Sequence, residues 1–512
     1  MGIGYFQLTV TSEQDKYLVG NPQFTYFKAI YKRHTNFALE TQFVQFVGET
    51  SMGYGASSNL GKKLYANIPK NGDLLHRMYI VIDTQWCNSS SEIEEVKKKL
   101  LVDAQGLIDY VQIQIGDQII DKYTGDWMHI YNETMKGAEQ NILCDMIHLH
   151  NNINPNTIKP ALRDGLIYIP LLFWFNRNPG LALPLLALQY SDIKINLKFN
   201  NKDKISNDND IGKFKINNVQ LLVEYIHLDK EEKNLFAQNN HEYLIEQLQY
   251  CNNINIPLRT DKYPSKTQGN ISCSCACSCM ERETLNCNCD GVENVGDIEY
   301  SKYQQKFELP FNHPIKLLFW TIQDDSSNLN VKNEPYIYDS NHKSRKNVGN
   351  NIFNYWFNLD WDNRVNQLID ATIAVNGQEI FNPIEANYFN SVQKYQYFEN
   401  NSYYDLESFT NTTTPNPMES IDVSYNKGSG IYCYSFGLKP IEYQPSGSLN
   451  FSKLDKAELR LRIRRNSNVI ESNNITTDCT TGTLKQKMLK VYAVNYNILR
   501  IMSGHAGLAF SN

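Results

Sequence analysis

The chain has no unbroken run of about 20 apolar residues, the length a helix needs to cross a bilayer. The nearest approach, IPLLFWFNRNPGLALPLLALQY (169–190), is interrupted by Asn176-Arg177-Asn178-Pro179. The opening MGIGYFQLTVTSEQDK carries neither a basic leader nor an apolar core, so no secretory signal is expected. Phe6 stands where a myristoylation motif beginning at Gly2 needs Ser or Thr. Charge is modest too, at 20% of residues with a net of −6. A strongly basic nucleic-acid binder is thereby excluded, because neutralising phosphates takes clustered Lys and Arg. The densest basic stretch, LRLRIRR (459–465), alternates Arg460, Arg462 and Arg464 with Leu459, Leu461 and Ile463, the pattern of an ordinary strand's outer face. These absences predict a soluble protein made in the cytoplasm.

Enzyme signatures are missing as well. His241-Glu242 opens a HExxH motif, but Ile245 occupies the place of the second zinc ligand. The stretch from Gly55 to Gly61-Lys62-Lys63 resembles a P-loop, yet its spacing is one residue too long and Lys63 replaces the Mg²⁺-binding Ser or Thr. No GxSxG elbow occurs. His148 and His150 can share a strand face, but two His without a third ligand are more often surface residues.

What the chain does have is aromatic residues, 32 Tyr and 23 Phe, which favour pleated, half-buried surfaces. Its 512 residues exceed what one hydrophobic core organises, so two or more domains are expected. The clearest local pattern occurs twice, as LIDYVQIQIGDQIID (107–121) and LIDATIAVNGQEIF (368–381). Val111, Ile113 and Ile115 alternate with Gln112 and Gln114; Ala371, Ile373 and Val375 take the inward places in the second copy. Period two marks a half-buried strand, and Gly116-Asp117 or Asn376-Gly377 then closes a tight hairpin. Gln118 and Gln378 follow in step, then Ile120 and Ile380.

Further strands are predicted across 24–48, on both sides of a Lys-Asn-Gly-Asp turn within 63–83, through 166–199 around Asn178-Pro179-Gly180, and over 219–229, 307–322, 432–463 and 489–504. A short capped helix or solvated loop fits 88–100, and a short helix follows Trp127. The segment 229–249 is charged, free of Pro and Gly, and reads as a helical linker. Polar stretches at 324–354 and 399–430 read as surface loops, and 251–306 holds a Cys-rich insertion.

Three more echoes appear in the same order. NIPKNGDLLHRMYIVI (67–82) matches ELPFNHPIKLLFWTI (308–322), with Pro69 over Pro310 and Asn71 over Asn312. SDIKINLKF (191–199) resembles DKAELRLRI (455–463), and LLVEYIHL (221–228) resembles YAVNYNIL (492–499), with Val223 over Val494 and Tyr225 over Tyr496. A tandem duplication follows. Its unit is far longer than the ~20–50 residues of a solenoid repeat. The expected fold is all-β: two tandem eight-stranded jelly rolls with long loop insertions and a few short helices. The expected division is an N-terminal arm at 1–24, a first jelly roll at 25–228, the linker at 229–249, and a second jelly roll at 250–512.

Six blocks are similar to a known family: QDKYLVGNPQFTYFKAIYKRHTNFALE (14–40), PGLALPLLALQY (179–190), HEYLIEQLQ (241–249), FNHPIKLLFW (311–320), YSFGLKPIEYQPSGSLNFSKLD (434–455) and NYNILRIMSGHAGLAFSN (495–512). Together they resemble the major capsid protein of large nucleocytoplasmic DNA viruses, across nearly the whole chain. The resemblance implies a double jelly roll, a homotrimeric pseudo-hexagonal capsomer, and an icosahedral shell over an internal membrane. It further implies contacts with neighbouring capsomers and with minor capsid and penton proteins, no direct contact with nucleic acid, no cofactor, and a place in the virion after assembly in the host cytoplasm. The polar loops are expected on the outer tops of the jelly rolls, with the arm 1–24 reaching toward the inner face or a neighbour. The alternatives are a minor capsid or penton protein, a glycan-binding virion surface protein, and a jelly-roll glycosidase. The last requires two carboxylates ~5–10 Å apart in an open groove.

Cys273, Cys275, Cys277 and Cys279 alternate, and Cys287 and Cys289 follow. Disulfides, free thiols in a loop and a soft-metal thiolate cluster are all open, although C-x-C is not the C-x₂-C spacing of zinc ribbons. The Asn-x-Ser/Thr sequons stand at Asn88, Asn132, Asn270, Asn400, Asn411, Asn450 and Asn474. Asn400 and Asn411, in the polar loop, are the candidate glycan sites.

Overall fold

The computed structural model describes residues 12–53, 61–86, 104–135, 165–201, 214–256, 304–324, 366–398, 430–463 and 487–510, with a few single positions besides. Among them sixteen principal strands carry the fold. The first half holds β1 (Phe37–Gln45), β2 (Lys63–Asn67), β3 (Leu74–Trp86), β4 (Ile108–Ile115), β5 (Gln118–Thr124), β6 (Gly165–Pro170), β7 (Ile193–Phe199) and β8 (Phe214–Leu228). The second holds β9 (His241–Ile256), β10 (Gln305–Glu308), β11 (Pro314–Asp324), β12 (Leu368–Val375), β13 (Gln378–Glu379), β14 (Ile431–Ser435), β15 (Ala457–Ile463) and β16 (Lys487–Met502). The first half forms two antiparallel sheets in the orders β1-β8-β3-β6 and β2-β7-β4-β5. The second forms β9-β16-β11-β14 and β10-β15-β12-β13. Adding eight to each label of the first half yields the second. Each half is a jelly roll of two four-stranded sheets.

The repeated hairpin sits at the same place in both lobes. Ile113 pairs with Ile195 and Ile373 with Leu459, and all four are fully buried. Both strands carry a bulge at the same step, between Ile108 and Tyr110 and between Leu368 and Asp370. The turns close at matching ends, with positive φ at Gly116 (59°) in one and at Asn376 (50°) and Gly377 (87°) in the other. Positive φ at both central residues is the type I′ requirement, which Asn-Gly meets at little steric cost. The Leu-Ile-Asp openings, by contrast, are one residue out of step, since Ile108 and Leu368 are the equivalent positions.

A similar slip affects LLVEYIHL and YAVNYNIL. Val223 pairs with Met78, and Ala493 with Leu318; these four face their own lobe's core, whereas Val494 points out of the second lobe toward the first. Ala493 and not Val494 is therefore the counterpart of Val223. Ile120 is buried but Ile380 is 44% exposed. The reason is tertiary: the second lobe packs over β5, and among the described residues no further lobe packs over β13.

The described helices include α1 (Gly125–Met135), α2 (Lys230–Gln238) and α3 (Gln393–Tyr397), the last continuing a π turn at Tyr388–Val392. Asp229 caps α2, its carboxylate accepting from Glu232 N at 2.9 Å, with Glu231 and Glu232 in the first turn where the helix dipole favours acids. The expected linker 229–249 is thus half helix. Its second part is already β9, whose alternating Ile245 and Gln247 are buried. At the other end, 24–36 lacks strand and the first sheet begins only at Phe37. The expected loops at 324–354 and 399–430, the segment 88–100 and the Cys-rich stretch lie outside the described residues, save their end positions.

Candidate assembly surfaces

For a chain whose sequence points to a structural role, the functional surfaces are those through which lobes join. One such joint lies within the chain itself. Strand β5 and helix α1 of the first lobe lie against the β9-β16-β11-β14 sheet of the second. Trp127 of α1 packs between Phe319 and Tyr492, with ring centroids 5.5 and 5.6 Å away. Tyr131 and Met135, one and two turns further along α1, continue this stripe. The receiving row crosses four strands as Tyr250, Tyr492, Phe319 and Cys433, each paired to the next. Polar contacts fix the register: Leu248 N donates to Asp121 Oδ1 at 3.2 Å, Gln247 Nε2 donates to Ile120 O, and Lys490 Nζ donates to Asp126 Oδ2. The C-terminal strand His505–Leu508 adds a clasp, with Tyr190 N donating to Gly504 O and Leu508 N to Gln118 Oε1, both at 3.0 Å.

One carboxylate holds two cations beside this joint. Glu246 accepts from Arg177 Nη1 at 2.9 Å through one oxygen and from Lys316 Nζ through the other. Burial alone raises the Glu246 pKa, but Arg177 and Lys316 outweigh it and keep the group below its ordinary value. Burial also disfavours the Arg177 charge, and Glu246 with Tyr131 more than offsets that. For Lys316 burial prevails over Glu246, and its pKa is lowered. A polar cleft of about 180 Å³, lined by Tyr131, Arg177, Glu246, Lys316 and Tyr443, opens beside the cluster. Asp121 is the second buried acid at the joint. Burial pushes its pKa up to about 7, against the N–H groups of Leu248 and Lys122 and the charge of Arg177.

Arg460 and Arg462 of LRLRIRR lie on an outer strand face bound to neighbouring acids, Arg460 to Glu379 and Glu458 and Arg462 to Asp370, while Arg464 lies outside the described residues. Cys273, Cys275, Cys277, Cys279, Cys287 and Cys289, and likewise Asn400 and Asn411, lie outside the described residues. Two other sequons are described. Asn132 is buried in α1, where no glycan fits, and Asn450 caps a short turn through Ser452 N at 3.0 Å. Sequence reasoning placed Trp127 at the start of a helix but gave it no partner, and it left Glu246 inside a linker. The available signal for Glu246 was the alternation of HEYLIEQLQ, which identifies a strand.

A second surface is left open. About half of the large exposed apolar side chains among the described residues lie between Tyr5 and Val47. Phe37, Leu39 and Phe43 project from one face of the edge strand β1, each more than half exposed. Clustered exposed apolar side chains of this kind mark places where another protein sits.

Two jelly rolls of one strand order, joined through a sheet face, define the double jelly-roll class of proteins. Residues 25–229 match the family described as major capsid protein N-terminus. Residues 232–425 and 413–507 match the family of large eukaryotic DNA virus major capsid proteins. The major capsid protein of Pyramimonas orientalis virus is 33% identical over 523 residues, covering 100% of both chains. That of Paramecium bursaria Chlorella virus 1 is 31% identical over 527 residues, again with 100% of both covered. Among solved structures, a chain of the PBCV-1 virus capsid aligns with a TM-score of 0.64 and 27% identity, over 95% of this chain and 100% of that one. The Faustovirus major capsid protein shares the fold at a TM-score of 0.55 and 10% identity, over 96% and 94%. The chain belongs to the major capsid proteins of large eukaryotic DNA viruses, and its role is structural, in the capsid of the virion.

Proposed function

We propose that this chain forms the homotrimeric, pseudo-hexagonal capsomer of an icosahedral shell assembled in the host cytoplasm over an internal membrane. The observation that carries the reading is the duplication itself. Two lobes of one topology in a chain, taken three times, make six similar lobes around an axis, and a near-hexagonal outline tiles a flat facet. A permanent trimer of this kind buries on the order of 2,000–5,000 Å² per interface, and the unburied apolar side chains of residues 5–47 supply surface for it. Neighbouring capsomers, minor capsid and penton proteins and the membrane are the remaining partners, none of which requires contact with nucleic acid. A minor capsid or penton subunit is the weaker reading, because a single jelly roll is the usual content of such a protein. Native mass spectrometry of the purified full-length chain tests the proposal. An assembly of three 59.2 kDa chains is expected, and a stable monomer at micromolar concentration refutes it.

A further inference from the structure

The polar cleft beside Glu246 is built by both lobes. The first contributes Tyr131 from α1 and Arg177 from the short helix after β6. The second contributes Glu246 on β9, Lys316 on β11, and Ile441 and Tyr443 from the loop after β14. Tyr443 O–H donates to Arg177 O at 2.6 Å, which ties that loop across the joint. The walls therefore meet only when one lobe is seated on the other.

Charge in this wall is out of balance. Arg177 and Lys316 bring two cations against the single carboxylate of Glu246, and all three side chains are largely buried, Lys316 at 3% exposure. Lys439 and Glu442 of the same loop pair with each other at 2.8 Å and add no net charge. Asp121 lines the adjoining recess and not this cleft, and burial raises its pKa to about 7. Hydrogen-bonding capacity is left over as well. Glu246 gives one oxygen to each cation. The Lys316 ammonium has three N–H donors. Among the described residues its one hydrogen-bond acceptor is Glu246, and the Tyr496 ring lies 5.6 Å away. Arg177 Nε is buried with no hydrogen-bond partner. Buried donors normally meet an acceptor and buried charge a counter-charge, and a small anion with several oxygens supplies both. The space is about 180 Å³. One water needs about 10–15 Å³, and sites for organic ligands run to about 300–1,000 Å³. An inorganic ion with some solvent fits; a nucleotide or sugar phosphate does not.

The geometry points to a binding site for a tetrahedral inorganic oxyanion, of which phosphate is the probe, held by Arg177 and Lys316 in the cleft between the lobes. Such an ion takes one donor group from the first lobe and one from the second, so it clamps the joint. A ligand that binds only the seated arrangement stabilises it by mass action once its concentration exceeds Kd. Four oxygens suit these spare donors better than the two of a carboxylate, because Glu246 already occupies the near side of both cations. The site belongs to a single chain and is independent of how many chains assemble.

Isothermal titration calorimetry of the full-length chain with sodium phosphate tests the site, at pH 6 and at ionic strength held constant with sodium chloride. One saturable site per chain is expected. Lys316→Met should raise its Kd by about tenfold or more, the equivalent of one charge-assisted hydrogen bond. Glu246→Gln frees both cations from their carboxylate and should tighten phosphate binding, whereas a merely loosened joint would weaken it. Lys439→Ala removes an exposed lysine of the neighbouring loop and should change nothing. Circular dichroism confirms that each variant is folded. If K316M does not fold, the sign of the E246Q change decides alone, tighter binding supporting the site and equal or weaker binding overturning it. Absence of saturable binding to wild type overturns the proposal, as does equal affinity in wild type and K316M. Acetate bound as tightly as phosphate also overturns it, since the cleft would then be a seat for a carboxylate.

Discussion

Asp121→Asn isolates the electrostatic cost of the joint between the lobes. Asp121 is buried on β5, and its Oδ1 accepts from the N–H groups of Lys122 and Leu248 at 2.9 and 3.2 Å. Burial raises its pKa from 3.8 to about 7, so the native chain binds this proton over a pH range where the unfolded chain has already released it. Stability from this group is therefore fully present below pH 3.8 and is lost as pH rises through about 7. At about 1.4 kcal/mol per pKa unit, the ionised carboxylate costs on the order of 4 kcal/mol above that window. The charged and polar groups around it are Arg177 and Tyr123 of the same lobe and Glu246 and Gln247 of the other. Asparagine keeps an oxygen for both N–H donors and has no charge to bury, and Arg177 keeps Glu246. Urea midpoints at pH 5, 6, 7 and 8, at one fixed chain concentration, should fall with pH for wild type relative to D121N. The variant should be the more stable of the two at pH 8, and the difference should shrink toward pH 5. Parallel pH profiles for the two proteins would refute the assignment of a costly ionised acid to this joint.

Other perturbations test other parts of the structure. Glu246→Gln leaves Arg177 and Lys316 buried without their shared carboxylate, and removing one partner of a buried pair costs roughly 3–5 kcal/mol; Lys316→Met added to it should recover part of the loss in the same urea titration. Because the Glu246 pKa is lowered from 4.5, its stabilisation is present above that value and fades as pH falls further, so acid unfolding of E246Q should be less steep than that of wild type. Ile113→Ala and Ile373→Ala remove equivalent core side chains from two separate cores, and each should cost about 2–5 kcal/mol. Their effects should add in the double variant because the sites share no neighbours. For the Cys273–Cys289 stretch, chains from reducing cytoplasm should alkylate freely, whereas released particles should resist alkylation until reductant is added; protection lifted by a chelator instead would indicate a metal.

Much of this fold is legible in one sequence because a jelly roll exposes one face of most strands to water. In β4 and β7 the alternation is clean: Val111, Ile113 and Ile115, then Ile193, Ile195 and Leu197, turn inward between polar neighbours. Asn376-Gly377 states its own turn through the φ values that only such residues adopt easily. From these patterns came the strands, the duplication and, with the resembling blocks, the capsid role. The linker reading failed at β9 because charge and the lack of Gly and Pro suit a helix and an edge strand equally well.

Register and partnership were decided elsewhere. In β16 every residue from Val491 to Asn497 is buried, because the core of the second lobe covers one face and the first lobe covers the other. A strand buried on both sides loses its alternation, and with it the cue that says which residue points where. Matching Val494 to Val223 by identity therefore slipped by one residue and put the wrong face inward. The same burial explains why Trp127, Glu246 and Asp121 gave no functional signal of their own, since the partners they meet across the joint lie 69 or more residues away. The sequence by itself determined that there are two jelly rolls and which strands build them. Only the tertiary structure decided how one lobe seats on the other, because a hydrophobic pattern records that a face is covered and not what covers it.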